Sequence, residues 1–154
     1  MNTVIIHPYS SKYRVAFHAI NCEWLNEFYF VTPEDEKILK APERIIAGGG
    51  EIFFAELNGS PVGTCAMIKT GNEEFELAKM GVLQTHRGKK IGEKLLESAL
   101  DFATLKQAKK VTLETAKKLK PAIALYTKYG FKKVSDEYTH PLFGRTIFKM
   151  ELVL

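Results

Sequence analysis

Cysteine is scarce in this chain: two in 154 residues, Cys22 and Cys65, with no Cys-x-x-Cys pair and no His/Cys ligand spacing. So thin a thiol complement argues against a disulfide framework or a zinc site and for two free core thiols, with no metal expected. Nowhere do the roughly 18 to 20 apolar residues of a membrane span occur in succession. The N-terminal "MNTVIIHPYSSKYR" also lacks the basic-then-apolar layout of a secretion signal. These absences set the expectation of a cytoplasmic protein without a membrane partner. Internal repeats, low-complexity tracts and linkers are missing too, so residues 1–154 read as a single domain, long enough to bury about 70% of its unfolded surface. His7, His18, His86 and His140 form no set with a serine or cysteine, which argues against covalent nucleophilic catalysis.

What is present is unevenly charged. Residues 1–77 carry 6 Lys/Arg against 11 Asp/Glu, and residues 78–154 carry 16 against 7, within a net charge of +4. The second half is therefore suited to an anion and the first to something cationic. Nucleic acid is the weaker candidate for that anion, since the basic residues lie on mixed elements with no helix-turn-helix spacing and no paired aromatic platform; no nucleic-acid partner is expected.

Periodicity gives the elements. "TVIIH" reads as a strand, and Tyr13, Phe17, Ile20, Trp24 and Phe28 mark a helix capped by Ser10 or Ser11. Thr32 as cap, Pro33 at the first position and Glu34, Asp35 and Glu36 in the first turn announce a second helix, ended by Pro42. "EIFFAEL" and "PVGTCAMIK" form a hairpin about Asn58-Gly59. In "NEEFELAKMGVL" strict alternation would put Glu74, Glu76, Ala78, Met80 and Val82 on one face. A helix from Ile91 to about Lys106, the strand "KKVTLETA", a short helix opened by Pro121 and closed by Gly130, and strands at "FKKVSD" and "RTIFKMELVL" complete the chain. Hairpins followed by a strand-helix-strand crossover imply an α/β (α+β) fold with a mixed sheet, antiparallel early and parallel at the crossover, and helices on both faces.

The stretch "HRGKKIGEKLLESAL", residues 86–100, places two glycines and four basic residues at a helix entrance. Unpaired N–H groups, the positive end of the helix dipole and close approach at glycine make Arg87-Gly88-Lys89-Lys90-Ile91-Gly92 a cradle for phosphate oxygens. The triple glycine at 48–50 lacks the Lys-Ser/Thr of a phosphate loop and reads as a link.

Arg87-x-x-Lys90-x-Gly92 after "KMGVL", followed by "AIALYTKYGF", resembles the GCN5-related N-acetyltransferase (GNAT) superfamily. The resemblance runs from about residue 10 to the end. It implies a mostly antiparallel sheet of six to seven strands splayed in the middle, and acetyl-CoA as co-substrate, without metal. Its pyrophosphate would lie on the N–H groups of Arg87 to Gly92, its pantetheine arm along the backbone of Val82 and Leu83, and Lys128 would reach the ribose phosphate. Two departures stand out: Lys90 replaces the first signature glycine, harmless to the anion site provided the loop avoids positive φ there, and Leu119 replaces a frequent asparagine.

The implied reaction carries acetyl from a thioester to a primary amine of a small molecule or peptide, in a monomer or homodimer. An alkylammonium near pKa ~10.4 must lose a proton before attack, and a glutamate near ~4.3 is a poor sink unless burial raises it. Glu76, eleven residues before Arg87, is the candidate base and Glu74 the alternative. Tyr126 matches the family's tyrosine and would donate a hydrogen bond to the leaving thiolate. Glu23, Glu27, Tyr29, Tyr138 and Phe143 are expected around the acceptor.

Overall fold

A computed structural model describes residues 3–154; Met1 and Asn2, at the head of the stretch read against a secretion signal, lie outside the described residues. The chain runs β1 (Val4–Pro8), α1 (Arg14–Phe28), α2 (Pro33–Leu39), α3 (Glu43–Ala47), β2 (Glu51–Leu57), β3 (Ser60–Gly71), β4 (Glu74–Val82), α4 (Ile91–Leu105), β5 (Lys110–Thr115), α5 (Lys120–Lys128), β6 (Lys132–Lys133), β7 (Tyr138–Thr139) and β8 (Thr146–Val153). Among the described residues the sheet has eight strands in the order β1-β2-β3-β4-β5-β8-β6, with β7 also on β8. All pairings are antiparallel except β4 with β5. The strand expected at "FKKVSD" shrinks to the two residues of β6, and the eighth strand is β7, a two-residue piece beyond it that the sequence did not announce.

Each sheet face has its own core. On one, α4 packs Ile91, Leu95, Leu96, Ala99 and Ala103 against Phe75, Leu77, Val111, Leu113 and Phe148, with Tyr126 of α5 at the edge. On the other, Tyr13, Phe17 and Leu25, with Leu39 and Ile45, cover Ile52, Phe54 and Ala66. The Tyr13 and Phe54 rings stack at 4.4 Å, and their burial supplies about 1.5–3 kcal/mol per large side chain.

Local chemistry explains the ends. Thr32 caps α2 in a reciprocal box: its Oγ1 accepts from the Asp35 N–H, and the Asp35 carboxylate accepts from the Thr32 N–H. Asn58 and Gly59 both take positive φ, as a two-residue hairpin turn requires. α5 ends on Gly130 (φ 96°), with the Phe131 N–H donating to Tyr126 O and the Gly130 N–H to Thr127 O. Two expectations change. Neither serine caps the first helix; a 3-10 turn at Ser11–Tyr13 leads into α1. Pro42 ends nothing: α2 stops at Leu39, and Pro42 opens α3, where its missing N–H costs little.

The alternation along β4 also breaks. Thr64 pairs with Gly81 but Ala66 pairs with Ala78, so β4 carries an extra residue, and Lys79 absorbs it at φ 52°. The bulge turns Met80 and Val82 to the α4 face beside Phe75 and Leu77, while Gly81 faces Trp24 of α1. Glu76 and Val82 therefore lie on opposite faces of the sheet, not on one.

Candidate active site

β4 and β5 are in register from Glu74–Lys110 to Leu77–Leu113 and then part, β4 running on to Val82 and β5 to Thr115. The gap opens a cleft of about 490 Å³ through the sheet. Trp24, Phe28 and Tyr29 wall it from one side, Leu125 and Tyr126 from the other, and His140 and Phe143 close one end. The Leu83 N–H donates to Val62 O at 2.8 Å. By antiparallel alternation the neighbouring Gly63–Val82 pair is then non-hydrogen-bonded, so the Val82 N–H points into the gap. Leu83 cannot pair with a ligand as expected, because its N–H is spent on β3 and its carbonyl accepts from His86.

The loop into α4 leaves donors free. Lys94 makes the first return bond, to Lys90 O, and the N–H groups of residues 88–93 find no backbone acceptor among the described residues. Arg87 behaves differently from expectation. Its N–H closes a 3-10 turn on Gln84 O, while its side chain folds inward, Nε donating to Val82 O at 3.1 Å and Nη1 reaching Glu27 at 2.8 Å. Its Nη2 is buried and finds no acceptor among the described residues. Glu23 accepts from the Gln84 N–H at 3.1 Å, so Glu23 and Glu27 brace this loop against α1 and do not line the acceptor end. Lys128, expected on a ribose phosphate, is paired with Glu93 of the first turn of α4.

Lys90 takes φ 62°, ψ 22°, the left-handed conformation that the sequence reading required it to avoid. It is exposed and caps nothing with its side chain. Left-handed backbone costs an L-residue about 1–2 kcal/mol, and glycine offsets part of that gain through its floppier unfolded chain. Lys90→Gly is therefore expected to raise the unfolding free energy by about 0.5–1 kcal/mol in urea titration; a loss would mean the lysine side chain contributes more than its backbone strain costs.

On the α1 face the gap is lined by charge. Glu76 is held above the usual carboxylate range, first by burial and then by Glu114, with Lys79 and Lys149 pulling the other way. Glu74 is drawn lower by Thr70 and Lys110, which hold it at the rim, so only Glu76 faces the cleft of the two glutamates that the sequence left open. Glu114, unforeseen, accepts from the Tyr138 hydroxyl and lies 3.6 Å from His140 Nε2. His140 Nδ1 accepts from the N–H groups of Leu142 and Phe143, which leaves the proton on Nε2, facing Glu114. Beside them Asp35, fully buried, is gripped by Arg145 at 2.6 and 3.2 Å and by Lys79 at 3.4 Å. Phe143 lies under both cations, and Tyr29 under Arg145 and Lys118. On the opposite face the Tyr126 hydroxyl is pushed well up by burial and, among the described residues, donates to Met80 Sδ at 3.9 Å.

Comparison with known proteins agrees with this geometry. The model of the acetyltransferase (GNAT) family matches residues 11–131. A probable N-acetyltransferase, camello, of Xenopus tropicalis is 36% identical over 83 residues, 53% of this chain and 38% of that protein. The chain thus spans less than half the length of the curated relatives it matches. A GNAT-family acetyltransferase from Staphylococcus aureus Mu50 superposes with a TM-score of 0.83 at 23% identity, covering 96% of this chain and 98% of that one. A putative acetyltransferase from Salmonella typhimurium, solved with its cofactor acetyl-CoA, superposes with a TM-score of 0.82 at 19% identity over 99% and 94% of the two chains.

Proposed function

The chain belongs to the acetyltransferase (GNAT) family, and on that premise we propose that it is an acetyl-CoA-dependent N-acetyltransferase, passing acetyl to a primary amine by direct attack in a ternary complex. One observation carries the reading: the free N–H groups at the mouth of α4 and the inward Val82 N–H open onto the same gap that Glu76 enters from the other face. Acetyl-CoA supplies an activated acyl group with a thiol leaving group. This chain's part is to hold its anionic end on the residue 88–93 donors, offer the Val82 N–H to the thioester oxygen, and keep an acidic face for the incoming ammonium.

Proton traffic divides across the sheet. Glu76 takes the proton the amine must lose, its raised pKa narrowing the mismatch with an alkylammonium. Tyr126 serves the thiol side as a hydrogen-bond donor; burial makes it a weaker acid than free phenol, so outright proton loss is disfavoured. Tyr29 and Phe143, with Glu76 and Glu114 between them, suit a cation with an apolar body, whether small molecule or peptide.

A second reading, a non-catalytic acyl-CoA-binding module, draws on the strained Lys90 and on Leu119 at the position of the frequent asparagine. Thiol release from acetyl-CoA, measured in a single turnover against a panel of primary amines, separates the two. Amine-dependent release is expected; tight acetyl-CoA binding with no release from any amine would leave only the module.

A further inference from the structure

Between α1 and α2, and outside the lining of the cleft, His18, Cys22 and Glu36 converge. His18 Nε2 lies 3.0 Å from a Glu36 carboxylate oxygen and 3.6 Å from Cys22 Sγ, and Sγ lies 3.8 Å from Glu36 Oε1. Four-coordinate zinc, with bonds of ~2.0–2.1 Å to nitrogen, ~2.3 Å to sulfur and ~2.0–2.2 Å to carboxylate oxygen, sets its ligand atoms about 3.3–3.6 Å apart. The three observed separations bracket that span. His18 and Cys22 sit four residues apart on one helix and so share a face, and Glu36 comes across from the next helix.

We propose that His18, Cys22 and Glu36 form a binding site for zinc, with the fourth position open to water. The donor set, one imidazole, one thiolate and one carboxylate, is of the mixed kind that selects a borderline ion over magnesium or calcium. The histidine and glutamate side chains are 37% and 29% exposed, so the ion enters from solvent without unfolding. Lys40 holds one Glu36 oxygen at 3.2 Å and competes for the carboxylate. Both thiols are free; Cys22 is half-buried against the α1-side core, whereas Cys65 is fully buried and donates to Leu95 O. The bound ion clips α1 to α2, the helices that carry Trp24, Phe28 and Asp35 to the cleft.

Cobalt(II) is a visible probe of such a site. The 154-residue chain, freed of coenzyme A and treated with chelator, is titrated with Co²⁺ alone. One equivalent is expected to bring up a thiolate-to-cobalt band in the near ultraviolet with strong visible bands of tetrahedral cobalt, and Zn²⁺ should bleach both. Cys22→Ser should abolish the ultraviolet band, His18→Ala should weaken binding about tenfold or more, and Lys40→Ala should tighten it. Zn²⁺ should raise the wild-type Tm and leave that of Cys22→Ser unmoved. A titration without the ultraviolet band, or a band that survives Cys22→Ser, overturns the site; His18, Cys22 and Lys40 are all at partly or fully exposed positions, so no result is confused with unfolding.

Discussion

Asp35→Asn is expected to lower the unfolding free energy by about 3–5 kcal/mol, the usual cost of removing one partner from a buried ion pair. The carboxylate is fully buried and receives a two-pronged contact from Arg145, two hydrogen bonds from Thr32 and the charge of Lys79. An asparagine keeps the shape and one acceptor oxygen but leaves two cations, themselves mostly buried, without their counter-charge. Burial by itself would raise the Asp35 pKa, yet Arg145, Thr32 and Lys79 outweigh it and bring the carboxyl to about 2. The folded value thus lies below the unfolded one, so the stability it contributes is fully present above about pH 4 and is lost as pH falls through about 2. Urea titrations at pH 7 and between pH 4 and 2 check both parts: wild type loses stability in the acid window, and Asp35→Asn starts lower and lacks that component. Equal stability at pH 7 would mean that the cations relax into solvent. Because Lys79 carries the β4 bulge at positive φ, loosening Asp35 should also let Met80 and Val82 drift and blunt turnover.

The elements that form the scaffold were legible because their signals are local: the Thr32 box, the Asn58-Gly59 turn, the Gly130 stop and the apolar stripe of α4 each need only a few neighbouring residues. The free donors at the mouth of α4 were legible for the same reason. The details of that loop were not. Arg87 looks like a phosphate ligand in sequence, and only the distant Glu27 and Val82 O reveal it as a brace. The β4 bulge escaped because Lys79 gives no glycine or asparagine signal; its left-handed turn is held by Asp35 and Phe143, 44 residues before it and 64 after, respectively. Glu114 had a faint signature, an acidic residue on a β-branched strand alternating with Val111, Leu113 and Thr115, but its partnership with Glu76 follows from the parallel register of β4 and β5, which no local pattern states. His140 needed the loop of residues 140–145 to fold back across the sheet before its Nε2–H could face a carboxylate. His18 and Cys22 stand four apart, a helical repeat that did not read as a ligand spacing because the third partner, Glu36, lies on a different helix.

Glu76→Gln should separate activity from stability. Turnover is expected to fall about 10²-fold or more, the scale on which a positioned general base contributes, while acetyl-CoA affinity holds, because Glu76 faces α1 and the anion donors lie at α4. Stability should move the other way. Burial and Glu114 raise the folded pKa of Glu76 above its unfolded value, so between those two values the folded chain binds the extra proton and wild type loses stability as pH rises. The penalty grows as pH rises through that window, and a neutral glutamine escapes it; Glu76→Gln is thus expected to be at least as stable as wild type at pH 7 and to lose that advantage as pH falls to 4. The rate carries the same group in its pH profile: wild-type kcat/KM should rise with pH through the raised Glu76 value, and this acid limb should vanish in the variant. Full activity in Glu76→Gln would remove Glu76 as the base and pass the role to Glu114 with His140, which face the same gap. A loss of both activity and stability would instead mark Glu76 as a structural contact, since a base held at an energetic cost cannot also be a stabilising one.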